Sequence, residues 1–141
     1  MSIPEGTQAM YADTSYFYAV LDRRDRDHDH ARALARQIQE RGVGIVTTWE
    51  VIVETVTLLR YRYSYLGAQT FIRRVLPTLN LVYVDEAERQ KALALFGRVS
   101  RDWKISLCDA ISAVVVKDRL GAIPCLAFDD DFRRLGLTII I

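Results

Sequence analysis

The chain switches repeatedly between short apolar runs and segments of helical periodicity, and this alternation restricts its fold more than any other feature. Met10, Tyr11 and Ala12 read as a short buried strand. Ala31, Leu34, Ala35 and Ile38 then recur at i, i+3, i+4 and i+7, the stripe of an amphipathic helix, with Gly42 placed as its C-cap. Gly44, Ile45 and Val46 form the next expected strand, and Thr47 with Glu50 has capping-box spacing before a helix running to about Tyr63. A further helix precedes Pro77, and residues 81–84 read as the third strand. Asp85 with Glu88 is a second capping box, followed by Ala92, Leu95, Phe96 and Val99 on one helical face. Ser106 is placed to cap a helix that carries Asp109 and stops near Gly121, and residues 123–128 and 138–141 supply the fourth and fifth strands. Strands separated by helices pair in parallel through crossover connections. The expected architecture is a single three-layer α/β domain over residues 1–141.

Composition bounds the function classes. The 141 residues are half hydrophobic and about a quarter charged, which suits one globular core. No run of 18 apolar residues is present to span a membrane. The opening residues, Met1 to Gln8, lack the basic start and apolar stretch of a signal peptide, so the cytoplasm is the expected location. Cys108 and Cys125 have no CxxC partner and read as reduced cysteines packed as small hydrophobes. A net charge of +1 creates no global field for nucleic acid, so an anionic substrate has to be held by local clusters.

Four acidic residues interrupt this apolar framework. Asp13 ends the run Ala9-Met10-Tyr11-Ala12, and Asp129 ends Cys125-Leu126-Ala127-Phe128. Glu54 breaks the uncharged stretch from Val51 to Leu59, and Asp109 lies inside the one from Ile105 to Val116. A carboxylate in such surroundings is costly unless it is paired, hydrogen-bonded or bound to a metal. Asp13 and Asp129 stand at carboxyl ends of strands, where open α/β sheets place their sites. Glu54 begins the second turn of a helix, and Asp109 lies in a first turn, where the dipole favours negative charge. Each has an ordinary explanation alone, as a cap, a helix-start carboxylate or an exposed helical residue. Converging, they would form a site for hard divalent cations.

In this order and spacing the segments resemble the PIN-domain nucleases, and more closely the VapC-like toxins among them. The resemblance runs from Tyr11 to about Leu137. It is carried by Ala12-Asp13-Thr14-Ser15 with Ala19-Val20-Leu21, Thr47-Thr48 with Glu54, Ser106-Leu107-Cys108-Asp109-Ala110, and Phe128-Asp129-Asp130-Asp131-Phe132 with Leu135-Gly136. It implies a five-stranded parallel sheet ordered 3-2-1-4-5, with Asp13 and Asp129 flanking the switch point and Glu54 and Asp109 leaning in from adjoining helices. It further implies an endoribonuclease that uses Mg²⁺ or Mn²⁺, held by those four carboxylates, and an antitoxin partner and a homodimer follow from it as expectations. Asp129 best matches the fourth acidic position, Asp131 is an outer ligand, and Asp130 is solvated. Glu50, one turn before Glu54, is assigned to capping. Ala127 stands where many relatives carry a hydroxyl, which weakens a hydrogen bond behind the carboxylates. The rival is a non-catalytic PIN-like module that binds RNA or protein, and such proteins usually lose one or more of the acids. A DNA target stays open, because nothing here reads a 2′-hydroxyl.

Other clusters carry less. Asp25, Asp27 and Asp29 have calcium-loop spacing, but His30 replaces the glycine and Arg36 the bidentate glutamate, so residues 22–30 read as a solvated loop whose arginines can meet phosphates. Arg60-Tyr61-Arg62-Tyr63-Ser64-Tyr65 suits base stacking and equally a subunit interface, and the interface is expected. Trp49 and Trp103 are assigned to core or interface. Trp49, Val51, Ile52, Val53, Val56, Leu58, Leu59 and Tyr61 cover most of the helix running to about Tyr63, which predicts cover on two sides, by the sheet and by a second copy.

Overall fold

The computed structural model describes residues 3–140. Strand β1 (Ala9–Ala12) leads through Asp13 into helix α1 (Thr14–Leu21), followed by α2 (His28–Arg41), β2 (Gly44–Thr48), α3 (Trp49–Arg62) and α4 (Tyr65–Thr70). A π-helical turn over Phe71–Val75 and a 3-10 turn over Leu76–Thr78 join α4 to β3 (Asn80–Val82). The remainder is α5 (Glu86–Val99), α6 (Leu107–Asp118), β4 (Cys125–Leu126), α7 (Asp131–Arg134) and β5 (Ile139–Ile140). Ile141, expected at the end of β5, and the opening Met1 and Ser2 of the expected domain lie outside the described residues.

All five strands are parallel, in the order β3-β2-β1-β4-β5, as expected from the alternation and the resemblance. The chain winds outward from β1 on one side through β2 and β3, then crosses to the other side for β4 and β5. The switch point therefore lies between β1 and β4. Helices cover both faces of the sheet, α1 to α4 packing among themselves and α5 to α7 doing the same. Being central, β1 loses its last three residues, Met10, Tyr11 and Ala12, wholly to the interior. The Tyr11 hydroxyl and Ser112 Oγ lie 2.6 Å apart and fasten α6 to β1.

Hydrophobicity all round a helix does force cover on every side, but α6 is the helix that obtains it. Every residue of α6 from Asp109 to Val116 is buried. In α3 only Val51, Ile52, Thr55 and Leu59 are buried, while Trp49, Val53 and Tyr61 remain exposed on the face this chain does not cover. Trp49 and Trp103 are therefore not core residues.

Other departures from the sequence reading have local causes. Helix α1 was not expected: Tyr16, Phe17, Ala19, Val20 and Leu21 are apolar at nearly every position, which erases the 3.6-residue signal. The capping box of Thr47 and Glu50 does not form. Strand β2 extends through Thr48, whose Oγ1 accepts from Val51 N–H at 3.3 Å, while Thr47 Oγ1 donates to the Ala12 carbonyl at 2.8 Å. Glu50 is left with a buried carboxylate oxygen that has no hydrogen-bond partner. The box of Asp85 and Glu88 does form, with bonds of 2.8 and 3.0 Å, and Glu88 also receives Arg119 Nε at 3.0 Å, tying α5 to α6. Strands β3 and β4 are shorter than expected, because only part of each apolar run pairs with a neighbour. Gly42 ends α2 in the left-handed region at φ 65°, as its position predicts. Gly67 is required for another reason: an added Cβ would lie 2.5 Å from the Tyr63 ring.

Candidate active site

A pocket of about 670 Å³ opens at the carboxyl edge of the sheet and is lined by Asp13, Glu54, Asp109, Asp129 and Asp131 together. The elements explain each position. Asp13 follows β1 and is the N-cap of α1, and its backbone N–H donates to the Leu126 carbonyl at 3.1 Å, which locks it against β4. Glu54 sits in the second turn of α3, the helix entered directly from β2. Asp109 occupies the first turn of α6, accepting from Ser106 N–H at 3.0 Å while its own N–H donates to Ser106 Oγ at 3.0 Å. Its ordinary role as a helix-start carboxylate is thus fulfilled, and the same geometry aims it into the pocket. Asp129 follows β4, and its Oδ1 accepts from Asp131 N–H at 3.3 Å, which turns the chain so that Asp131 opens α7 beside it.

Electrostatics tie the group together. Asp13 is only 3% exposed. Burial first, then the charges of Asp109 and Asp129, raise its pKa to about 8, against the opposing hydrogen bonds from Ser15. Burial and then Asp109 and Asp131 raise Asp129 to about 6. Asp109 is raised by burial, Asp131 and Glu54, partly offset by its bonds to Ser106. Among the described residues no arginine or lysine forms an ion pair with Asp13, Glu54, Asp109, Asp129 or Asp131. These five carboxylates therefore stand together without a direct ion-pair partner among the described residues, while Arg26, Arg62 and Lys104 line the same pocket.

Such a donor set fits a hard cation. The groups are carboxylates, the ligand type of Mg²⁺ and Mn²⁺. Among the described residues no three acids, histidines or cysteines form a ready-made ligand shell, consistent with like charges standing apart. Cys108 is no soft ligand here, since burial and the neighbouring Glu54 charge push its thiol well up and keep it protonated.

Sequence reasoning missed two features of the site and one beside it. Ser15 is the first. Its Oγ donates to Asp13 Oδ2 at 2.9 Å and accepts from Phe128 N–H at 2.9 Å, bridging the two strand ends that carry Asp13 and Asp129. Ala127 offers no hydroxyl here, and the one that supports Asp13 comes from Ser15 in the first turn of α1. Its signal was only its place two residues after a strand-ending aspartate. Thr14 is the second: it lines the pocket with a buried hydroxyl that has no hydrogen-bond partner. The third is Asp22, expected in a solvated loop and found 4% exposed. Asp130 instead meets the expectation of a solvated residue, pairing with Arg133 at 3.1 Å on the surface. Glu50 does not line the pocket.

Comparison with known proteins bears on the fold and the family. The PIN domain pattern matches residues 10–137, nearly the whole chain. A VapC ribonuclease of Archaeoglobus fulgidus is 28% identical over 113 residues, covering 78% of this chain and 71% of that protein. The crystal structure of Mycobacterium tuberculosis VapC20, a sarcin–ricin loop cleaving toxin, superposes with a TM-score of 0.76 at 26% identity, over 92% of this chain and 96% of the other. FitAcB from Neisseria gonorrhoeae shares the fold, with a TM-score of 0.64 at 13% identity over 94% and 96% of the two chains. With its parallel sheet, its acidic pocket at the switch point and this match over residues 10–137, the chain belongs to the PIN domain family.

Proposed function

We propose that this protein is a Mg²⁺- or Mn²⁺-dependent endoribonuclease, the toxin of a toxin–antitoxin pair. The observation that carries the proposal is the set of five carboxylates lining one pocket without a cationic partner. Asp13, Glu54, Asp109 and Asp129 would hold the metal and act in catalysis, with Asp131 as an outer ligand. Bound there, the metal supplies Lewis-acid polarisation of the scissile phosphate and a lowered pKa for a coordinated water. The chain's own residues do the rest. Ser15 and Ser106 hold Asp13 and Asp109 in fixed rotamers, and the helix N-termini carrying them place backbone dipoles toward the entering phosphate. A purely binding module would have no need to keep so many mutually repelling acids in one pocket.

The relatives named above also support an RNA substrate and an antitoxin partner. The exposed face of α3, with Trp49, Val53 and Tyr61, is the surface we assign to a homodimer. No helix among the described residues is long and apolar enough to cross a membrane, and we place the protein in the cytoplasm as a single domain over residues 1–141.

The test is cleavage of an RNA oligonucleotide panel that includes a sarcin–ricin stem-loop, with Mg²⁺, with Mn²⁺ and with excess EDTA. Metal-dependent cleavage that Asp13→Asn abolishes is the expected result. Undiminished cleavage in EDTA or by Asp13→Asn would overturn the mechanism. Light scattering at micromolar concentration checks the dimer, which a clean monomer would exclude.

A further inference from the structure

We propose that Arg26, Arg62 and Lys104 form a phosphate-gripping wall that holds an unpaired RNA strand over the acidic floor; this rests on the nuclease reading above. The three cations line the same pocket as the carboxylates but come from separate parts of the chain: the loop between α1 and α2, the last residue of α3, and the segment before α6. Arg62 and Lys104 form no ion pair among the described residues, and Arg26 pairs only with its neighbour Asp27, at 3.5 Å. Arg62 and Lys104 are therefore available beside a floor that by itself repels a phosphodiester, and Arg26 joins them by exchanging its long, exposed contact with Asp27 for a phosphate.

The pocket has room for more than an ion. Its volume of about 670 Å³ falls in the usual range for organic ligands, about 300–1,000 Å³. Asp13 lies at its base, only 3% exposed, so a phosphate has to descend to reach it. A flexible single strand can bend a phosphate down to it, whereas the phosphates of a duplex sit on the outside of a stiff helix that cannot follow the recess. With a net charge of only +1 the protein has little general attraction for RNA, which leaves the grip to this local wall.

The wall is also held in place. Asp22 Oδ2 accepts from the Tyr18 hydroxyl at 2.6 Å and Oδ1 from Arg24 N–H at 2.8 Å. Arg24 Nη2 then donates to the Arg62 carbonyl at 2.6 Å, and its guanidinium lies 5.2 Å from the centre of the Tyr63 ring. The loop carrying Arg26 is thereby tied to the helix end carrying Arg62. Asp25 and Asp27 share the wall, but Asp25 Oδ1 accepts Asp27 N–H at 2.8 Å and Asp27 is taken up by Arg26, so both are engaged within the loop.

The experiment measures binding apart from chemistry. Fluorescence anisotropy follows a labelled single-stranded RNA on full-length Asp13→Asn protein across a salt series, with wild-type cleavage run in parallel. Each phosphate contact to a single strand contributes about −0.7 to the slope of log K against log salt, so three contacts predict a parent slope of about −2. Arg26→Gln, Arg62→Gln and Lys104→Gln should each remove about 0.7 of that slope, and the triple variant should bind at least about tenfold more weakly. Arg36→Gln, an exposed cation away from the pocket, should change nothing. Parent-like affinity and slope in the triple variant, or an equal loss in Arg36→Gln, overturns the wall while wild-type cleavage leaves the nuclease standing. If wild type does not cleave and Asp13→Asn does not bind, both fall. Retained thermal unfolding in each variant, and retained Mn²⁺ binding when the same substitutions are made with Asp13 intact, establish that a loss of RNA binding is not a loss of fold.

Discussion

Helix α1 has a buried aspartate at each end, and the two are opposites. Asp13 at its start and Asp22 at its end are 3% and 4% exposed, so desolvation penalises both. Asp22 overcomes the penalty: burial raises its pKa, but the Tyr18 hydroxyl, the Arg24 N–H and the Arg24 guanidinium together bring it below the usual carboxylate range. Asp13 does not. It receives only the Ser15 hydroxyl and N–H, faces Asp109 and Asp129, and titrates at about 8. The same side chain at similar solvent exposure is thus satisfied where it ties the loop to α1 and left wanting where it faces the other acids of the pocket. An unmet charge in a well-ordered pocket marks a functional position more sharply than burial does.

The largest expected difference between the two ends is in activity. Asp13→Asn should reduce RNA cleavage by at least about a thousandfold, measured as single-turnover rate, because it removes a charge from the metal-binding set. Asp22→Asn should leave the rate within about tenfold of wild type, since Asp22 touches no member of that set. Equal losses in both variants would erase the distinction.

A smaller effect is expected at the support for Asp13. Ser15→Ala removes the bridge to Phe128 N–H and should lower Mn²⁺ affinity or cleavage about 10- to 100-fold, as losses behind metal ligands usually do. Titration calorimetry with Mn²⁺ separates this from a folding defect. Unchanged affinity and rate would reduce Ser15 to a turn residue.

In stability the order reverses. Asp22→Ala leaves the Tyr18 hydroxyl and the Arg24 N–H without their acceptor and should cost about 1–3 kcal/mol in urea unfolding. Asp13→Asn should instead raise the stability of the metal-free protein at pH 8, by about 1 kcal/mol, because it relieves repulsion among buried carboxylates. A destabilised Asp13→Asn would show that the pocket is not strained by its own charge.

The pH profiles follow with opposite signs. The folded-state pKa of Asp13, about 8, lies above its ordinary 3.8, so its contribution is full below about pH 4 and is lost as pH rises through about 8. The folded pKa of Asp22 lies below 3.8, so its contribution is present above that value and lost as pH falls through the folded one. Metal-free protein should therefore melt highest near pH 4 and lose stability progressively as pH rises toward 8. Asp13→Asn should flatten the alkaline limb, Asp22→Asn the acid limb, and Mn²⁺ should restore stability at pH 8. Thermal melts across this range check all of these.

Much of the fold was legible in the chain itself. Regular alternation announced parallel strands, and Gly42, the Asp85–Glu88 pair and Ser106 marked helix ends, because caps act within a few residues of themselves. Asp13, Glu54, Asp109 and Asp129 were visible because a charge inside an apolar run is a local conflict, and all were found in one pocket. What could not be read depended on partners distant in sequence. Thr47 was drawn from capping to the Ala12 carbonyl by strand pairing, leaving Thr48 to cap. Nothing near Ser15 reveals that Phe128 will need its hydroxyl, 113 residues on. The aspartate-rich loop read as solvated because its composition is polar, yet Asp22 is buried by Tyr18 and by an arginine anchored on the end of α3. Local sequence thus determined the elements and the acids they carry. Tertiary packing decided which acids would be satisfied and which left exposed to one another's charge, because that balance depends on desolvation and on groups brought close only when the chain is folded.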